Sequence, residues 1–318
     1  MRAAAVRGAR WVVTLTGMRT LHVESRTTEA DGVVSFVLTG DGLPGWTPGA
    51  HVDVEIRPGL LRQYSLCGDP AERTRWRIAV LREEPGRGGS AHLHDRVRVG
   101  DTLRVGDPRN NFPLAPAPRY RFVAGGIGIT PLLPMLREAD RAGADWELFY
   151  GGRRRSRMAF GDELAAYGPR VRILPEDEHG LLPLPEIVSA DAHVYCCGPG
   201  PLLDAVERLC PAGRLHLERF QPRELAAAPA HGFDVVASAS GRTVRVAPGQ
   251  SVLDALGRAG LAMPSSCREG TCGSCETTVL DGDVEHRDSV LSEQERAAGK
   301  TMMVCVSRAR SDRLVLDV

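Results

Sequence analysis

Three cysteines lie close together in the segment CREGTCGSCETTV, which spans residues 267–279. They occupy Cys267, Cys272 and Cys275 with a C-x4-C-x2-C spacing, and Cys305 follows farther along the chain. Four thiols in such a pattern can form disulfides, hold a zinc ion or hold an iron–sulfur cluster. Each of these uses requires a tight loop that the chain must bring together with Cys305.

The spacing favours the cluster over the other two uses. Plant-type [2Fe-2S] centres combine C-x4-C-x2-C with one distant cysteine. Structural zinc sites usually need two short knuckles, but Cys305 has no neighbouring Cys or His to form the second. Gly270 and Gly273 leave room for backbone N–H groups to approach cluster sulfurs. We predict a [2Fe-2S] cluster held by the four cysteines, with zinc and disulfides as the alternatives.

Composition narrows the class of protein. The 318 residues are enough for two or three domains, and 40 basic residues balance 40 acidic ones, which gives no support for nucleic-acid binding. No apolar run approaches the ~20 residues that span a bilayer. The segment MRAAAVRGARWVV lacks the apolar core and cleavage site of a signal peptide. We therefore expect a cytoplasmic protein without membrane contact, in which structural disulfides are disfavoured.

The periodicity of apolar residues changes along the chain. After an N-terminal extension (1–17), residues 18–116 hold short alternating runs such as VVSFVL between turn signals, which predicts a small β-barrel or sandwich. Residues 117–224 alternate strands with helices, as in a parallel α/β sheet. An Ala- and Pro-rich linker (225–231) precedes a compact α+β unit at 232–318.

Local signals in the last unit predict individual elements. Ser251 precedes the helical pattern VLDALGRAG, and Asp254 stands three residues later as its capping-box partner. A short helix is expected near 292–298. The apolar segment MMVCV (302–306) is interpreted as a strand that carries the fourth cysteine.

Three short segments of the first domain suggest chemistry. RQYSL offers a cation at Arg62, an aromatic ring at Tyr64 and a hydroxyl at Ser65. GRGGS (86–90) is glycine-rich backbone that can direct N–H groups at a phosphate. PRNNFPL (108–114) follows. Taken singly, RQYSL also fits a strand of mixed polarity, and GRGGS also fits a flexible hairpin turn.

RQYSL follows the R-x-Y-S pattern of ferredoxin-NADP reductase-like flavoproteins. With GRGGS, PRNNFPL and the cysteine loop, the chain after residue 17 resembles the phthalate dioxygenase reductase and vanillate O-demethylase reductase family. The resemblance implies a multidomain fold. Its parts would be an antiparallel β-barrel flavin domain, a parallel α/β nicotinamide domain and a β-grasp, plant-type ferredoxin domain.

The flavin of this family is FMN, so the resemblance implies FMN rather than FAD. Arg62 would then pair with the phosphate, Tyr64 would stack on the isoalloxazine ring and Ser65 would bond near flavin N5. The remaining FMN-binding residues that the resemblance implies are Gln63, Ala79, Val80, Gly86, Gly88, Gly89 and Ser90.

Two glycine-containing motifs lie where a strand gives way to a helix. GGIGIT (125–130) places a helix N-terminus where it can bind a pyrophosphate, although it departs from a full G-x-G-x-x-G. CCGPG (196–200) lies at a second such switch. The resemblance implies that Thr130, Cys197 and Phe220 line the nicotinamide and flavin face, with plain core as the alternative for Phe220. The predicted nucleotide-binding residues are Gly125, Gly126, Gly128, Thr130, Arg153, Arg155, Cys197, Gly198 and Pro199.

An arginine cluster bears on the choice of nucleotide. Arg153, Arg154, Arg155 and Arg157 follow the second strand of the α/β domain, where Arg can bind a 2′-phosphate. A solvated loop is the alternative. Because the family is mostly NADH-dependent, the resemblance implies NADH, with NADPH less favoured.

The resemblance also implies a function for the whole chain. It would be the monomeric reductase of a two-component Rieske oxygenase, moving electrons from NAD(P)H through FMN and the [2Fe-2S] cluster to the terminal oxygenase. That partner would hydroxylate or O-demethylate a small, often aromatic, substrate. We expect no catalytic side chain, since the cofactors carry the redox chemistry. The alternatives are a cytochrome P450 or diiron oxygenase as acceptor, and a redox-sensing or scaffold protein without turnover.

Overall fold

The computed structural model describes residues 17–318 except 85, 87, 189–190, 212 and 224–230. The predicted extension and linker therefore lie outside the described residues, apart from Gly17 and His231. Within this part of the chain, no helix has the length and apolar composition that crossing a membrane requires.

Six strands and one helix form the first domain. They are β1 (Arg19–Ala30), β2 (Val33–Thr39), β3 (His51–Arg57), β4 (Leu60–Ser65), β5 (Arg75–Leu81), α1 (Gly89–Arg96) and β6 (Thr102–Val105). The strands are ordered β4-β3-β6-β1-β2-β5 with antiparallel pairing throughout, and a bridge from Leu66 to Ile78 closes the sheet. Alternate residues such as Phe36, Val52 and Val54 fill the interior, which makes the domain a barrel.

A five-stranded parallel sheet follows. Its elements are β7 (Arg119–Gly125), α2 (Leu132–Arg141), β8 (Asp145–Gly152), α3 (Gly161–Ala165), β9 (Val171–Pro175), α4 (Glu176–His179), α5 (Leu184–Ile187), β10 (His193–Cys197), α6 (Gly200–Leu209) and β11 (Leu215–Glu218). Short 3₁₀ turns occur at Gly126–Ile129, Arg155–Arg157 and Gly168–Arg170. The order β11-β10-β7-β8-β9 reverses direction between β7 and β10, where open α/β sheets form their ligand crevice.

The last domain is built on a mixed sheet. Its elements are β12 (Phe233–Ala237), β13 (Arg242–Val246), α7 (Val252–Arg258), β14 (Glu276–Asp281), β15 (Val284–Glu285), α8 (Glu293–Ala298), β16 (Thr301–Met303), β17 (Arg308–Ala309) and β18 (Arg313–Leu316). Five strands are ordered β13-β12-β18-β14-β16, and α7 packs on β13. Ser251 Oγ accepts a hydrogen bond from the Asp254 amide at 3.1 Å, which confirms the predicted helix start, while the Asp254 carboxylate accepts from the Ser251 hydroxyl at 2.8 Å.

An ion-pair network joins the barrel to the parallel sheet. Arg77 on β5 donates to Glu29 on β1 and to Glu163 on α3, at 2.8 Å in each case. Arg137 on α2 also pairs with Glu163. These charges are partly shielded from water, which makes the contact more effective than an exposed ion pair.

Candidate functional site

Strand β4 carries the R-x-Y-S segment and pairs with β3. Ser65 at its end is 5% exposed, and its hydroxyl has no hydrogen-bond partner among the described residues. Tyr64 packs partly on the barrel core, and burial raises the pKa of its hydroxyl well above the usual value. By strand alternation the Tyr64 ring and the buried, unsatisfied Ser65 hydroxyl lie on opposite faces of β4, with Ser65 on the same face as its partner His51.

Arg62 meets the glycine-rich segment at the start of α1. A Cβ added to Gly89 would lie 2.9 Å from Arg62 Cγ, so the arginine side chain packs directly on this glycine. The helix begins without a side-chain cap in the described chain, and Gly88 before it has a left-handed conformation. A guanidinium next to a helix N-terminus fits a bound phosphate. Gly88, Gly89 and Ser90 of the GRGGS segment thus form the start of a helix and not the hairpin turn that was the alternative.

The other predicted flavin residues occupy neighbouring positions. Ser90 Oγ accepts a hydrogen bond from the Glu83 amide at 3.1 Å, while Gly86 is exposed. Ala79 and Val80 are buried on β5. Their contact with a flavin stays a prediction.

The two glycine motifs of the parallel sheet pack against each other. A Cβ on Gly128 would lie 2.2 Å from the Cys197 carbonyl oxygen, and one on Gly125 would lie 2.6 Å from Pro199 Cδ. GGIGIT and CCGPG therefore pack together at the carboxyl ends of β7 and β10, the position where open α/β sheets have their ligand crevice. Thr130 is buried and its hydroxyl donates to the Ile127 carbonyl at 3.0 Å.

The predicted nucleotide-site residues near these two motifs differ in how far they are exposed to solvent. Cys197 is fully buried, and burial raises the pKa of its thiol, which keeps it neutral. Phe220 just beyond β11 is 41% exposed, so the plain-core alternative does not describe it. On the loop after β8, Arg155 donates two hydrogen bonds to Glu178, at 2.6 and 3.0 Å, while Arg153 is exposed.

The four cysteines of the last domain converge. The Cys267 thiol lies within hydrogen-bonding range of Cys272 and Cys305, and Cys275 within range of Cys305. These contacts lower the pKa of Cys267 far below its usual value. The amides of Glu269 and Thr271 point at Cys267 Sγ, at 3.3 and 3.5 Å. The predicted N–H···S contacts are present.

The arrangement fits a two-iron cluster. All eight cysteines are free thiols, so no disulfide competes for them. Throughout the described ranges, no three His, Cys, Asp or Glu side chains surround a single ion position. A [2Fe-2S] cluster does not need such a group, since its four thiolates are shared between two irons.

Unsatisfied polar atoms collect between β4 and the cysteine loop. Both ring nitrogens of His51, Ser65 Oγ, and Nε and Nη2 of Arg109 are buried without a hydrogen-bond partner in the described part of the chain. Leaving such a group unpaired costs about 1–3 kcal/mol. Burial, then Arg109, lowers the pKa of His51 to about 4. This concentration of unpaired donors and acceptors fits a site shaped for bound polar groups.

Comparison with known proteins identifies the architecture. Residues 235–310 match the 2Fe-2S iron-sulfur cluster binding domain family. The phenoxybenzoate dioxygenase subunit beta of Ectopseudomonas oleovorans is 48% identical over 91% of this chain and 94% of its own length. The phthalate 4,5-dioxygenase oxygenase reductase subunit of Pseudomonas putida is 42% identical over 95% of this chain and 97% of its own.

Two solved structures are similar over nearly the whole chain. A phthalate dioxygenase reductase, described as a modular structure for electron transfer from pyridine nucleotides to [2Fe-2S], matches with a TM-score of 0.68 and 39% identity, covering 95% of this chain and 98% of that one. The chain belongs to the phthalate dioxygenase reductase family. An intact type IV self-sufficient cytochrome P450 monooxygenase matches with a TM-score of 0.89 and 47% identity, covering 95% of this chain but only 41% of that one.

As a member of the phthalate dioxygenase reductase family, the chain is an electron-transfer oxidoreductase. It has the flavin-binding barrel, the nicotinamide-binding α/β domain and the [2Fe-2S] domain of that family. The predicted fold class is confirmed. The individual cofactor-binding residues remain predictions that the geometry described above supports.

The sequence did not point to Glu218, which ends β11 beside the CCGPG motif. It is the direct neighbour of Cys197 across the β10–β11 pair, and its Oε2 atom is buried without a partner in the described residues. Burial raises the pKa of Glu218 from 4.5 to about 8. A carboxyl that stays protonated can donate a hydrogen bond to a ligand. The one available signal was an acidic residue in the strand pattern RLHLERF.

Replacing Glu218 with Gln is expected to stabilise the protein at alkaline pH. The folded carboxyl binds its proton more tightly than the unfolded one, so wild-type stability falls as pH rises from 4.5 to about 8. The amide does not titrate, and we expect Glu218→Gln to be more stable than wild type by about 2 kcal/mol near pH 9. Chemical denaturation at several pH values measures this. A gain in stability that is independent of pH, or equal to the gain in the exposed control Glu186→Gln, would contradict this prediction.

Proposed function

We propose that the chain is the NADH-dependent reductase of a two-component Rieske oxygenase and acts as a monomer. Residues 18–116 would bind FMN, residues 117–224 NADH and residues 232–318 the [2Fe-2S] cluster, with 225–231 as a linker. When bound, FMN would convert two-electron donation into one-electron transfer, and the cluster would carry single electrons. The partner would be a Rieske non-haem iron oxygenase that acts on a small, often aromatic, substrate by hydroxylation or O-demethylation.

One hydrogen bond between the first and last domains is the main support for the proposal. Gln63, between Arg62 and Tyr64 of the flavin strand, donates a hydrogen bond to Ser266 at 2.6 Å, and Ser266 immediately precedes the first cysteine of the loop. Both cofactor segments thus meet inside a single chain. The chain can position a flavin next to the cluster without a separate ferredoxin.

The predicted phosphate site, which consists of Arg62 and the start of α1, supports FMN over FAD. Arg62 and the start of α1 form one compact site for anionic oxygen, which is what a single terminal phosphate needs. Heat-released flavin, separated by chromatography, distinguishes the two. Release of FAD as the main flavin would refute the assignment.

Cofactor content and partner dependence test the whole proposal. The isolated protein should contain about two irons and one FMN per chain, as the plant-type cluster and one flavin site require. It should reduce cytochrome c with NADH and support turnover by a Rieske oxygenase. Reduction of cytochrome c without support for any Rieske oxygenase would refute the partner alone.

Arg155 and Glu178 support the preference for NADH. Their double hydrogen bond occupies the guanidinium and leaves a carboxylate beside the loop that would face the adenosine ribose. We expect Glu178→Gln to improve kcat/KM for NADPH relative to NADH by roughly fivefold, since it removes a solvent-screened like charge from the side of the 2′-phosphate. Steady-state kinetics with both nucleotides measure the ratio. The change Glu186→Gln is the matched control, and an unchanged ratio in Glu178→Gln would contradict this assignment.

A cytochrome P450 is the second candidate acceptor. The 47% identity to part of a self-sufficient P450 monooxygenase favours it, since that protein joins a haem enzyme and a similar reductase in one chain. Parallel turnover assays with a Rieske oxygenase and a P450 distinguish the two. Support for the P450 alone would replace the first proposal.

A further inference from the structure

The outward face of β3 is polar but hidden from water. Val52 and Val54 point into the barrel, so His51 and Asp53 belong to the opposite face by strand alternation. On an isolated barrel this face would contact solvent. His51 is nevertheless 5% exposed and Asp53 only 3% exposed. They are covered by Arg109, which contacts both residues, and by the cysteine loop of the last domain, whose Ser266 bonds to Asp53.

The Asp53 carboxylate binds groups from both domains on this covered surface. Its carboxylate accepts hydrogen bonds from Arg109 at 2.7 Å, from Gln63 at 2.5 Å and from Ser266 Oγ at 2.6 Å. Burial opposes its ionisation, but the bonds from Arg109, Ser266 and Gln63 outweigh burial and lower the pKa. Two donors come from the barrel domain and one from the cysteine loop. The carboxylate therefore ties the loop to the barrel.

A second hydrogen bond joins the barrel domain to the loop at Cys272. Asn111 Nδ2 donates to the Cys272 carbonyl at 3.0 Å. It can approach because position 273 is glycine: a Cβ there would lie 2.6 Å from Asn111 Nδ2, and the φ of +73° is itself strained for other residues. Asn111 belongs to PRNNFPL, the segment for which no role followed from its chemistry.

The two contacts are made at or next to two of the four cluster ligands. Ser266 adjoins Cys267, and the Asn111 bond is made to Cys272 itself. On the barrel side, Gln63 lies within the R-x-Y-S strand. A shift of the loop would therefore change the separation of the flavin strand from two of the four thiols.

We propose that Asp53, Gln63 and Asn111 form a docking clamp that positions the cysteine loop against the flavin strand and thereby sets the rate of electron transfer from flavin to cluster. The clamp residues are positioning residues, because they act through the loop. The proposal rests on the function proposed above. It assigns the PRNNFPL segment and the Gln63 side chain to domain docking.

Rapid-mixing spectroscopy of Ser266→Ala and Asn111→Ala tests the clamp. Flavin bleaching by NADH should keep its wild-type rate, while bleaching of the cluster should slow by about tenfold in each variant, since small misplacements of a reacting pair cost one to two orders of magnitude. Ser265→Ala is the matched control, because Ser265 makes no side-chain hydrogen bond among the described residues. It should reproduce both wild-type rates.

Two further measurements separate docking from damage to the cluster. The EPR spectrum of the dithionite-reduced variants should match wild type, and hydrogen exchange should increase at 62–65 and 266–275. An unchanged cluster-reduction rate in Ser266→Ala and Asn111→Ala would overturn the clamp, and so would an altered EPR spectrum accounting for the loss. A wild-type protein without flavin, iron or NADH oxidation would refute the proposed function instead.

Discussion

A protein with Cys305 replaced by Ala is expected to lose its iron and its NADH-dependent reduction of cytochrome c, while flavin bleaching by NADH continues. Cys305 lies within range of both Cys267 and Cys275, so its removal takes a thiolate from the centre of the ligand group. Loss of even an outer partner of a metal site costs about 10–100-fold, and loss of a ligand should cost at least the upper figure. Iron analysis, EPR and the two kinetic assays measure the separate losses.

Cys210→Ala provides the matched control. Cys210 is a half-buried free thiol at the end of α6, remote in sequence from the cysteine loop. The control should keep both irons and both activities. Full cytochrome c reduction by an iron-free Cys305→Ala protein would show that electrons leave directly from the flavin.

The change Gly128→Ala should have the second large effect, on the use of NADH. The added Cβ would lie 2.2 Å from the Cys197 carbonyl oxygen and 2.7 Å from the Gly198 nitrogen, and both are backbone atoms that cannot rotate away. The 3₁₀ turn after β7 must then move away from β10. We expect kcat/KM for NADH to fall by about 100-fold, since a misplacement near 1 Å has that effect, and stability to fall by about 1–3 kcal/mol.

Gly161→Ala at the start of α3, in the same domain but outside both glycine motifs, is the control. A Cβ there meets nothing within 4 Å, so the same substitution should leave kinetics and stability near wild type. The flavin content of Gly128→Ala should also remain normal, because the change lies outside the barrel. Wild-type kcat/KM in Gly128→Ala would mean that the two motifs do not form the nucleotide crevice.

Local signals predicted much of the fold. Strand alternation predicted a small barrel or sandwich, and the alternation of strands with helices predicted the parallel sheet. Ser251 and Asp254 marked a helix start that the structure confirms. MMVCV was wrong as one continuous strand: β16 ends at Met303, and the Val306 and Ser307 amides bond back to the Met303 carbonyl. Apolar content cannot distinguish a buried turn from a strand, and this turn is what presents Cys305 to the loop.

The sequence by itself determined the chemistry of the cluster, because ligand type and C-x4-C-x2-C spacing are local properties of one segment. It also located both nucleotide motifs, since glycines at strand ends have a local backbone role. Only the tertiary structure decided where these sites meet. Asp53 and Ser266 are ordinary polar residues in their own segments, and they lie 213 positions apart. Their contact depends on the burial of one domain surface by another, and single-sequence periodicity carries no information about which surfaces are buried together.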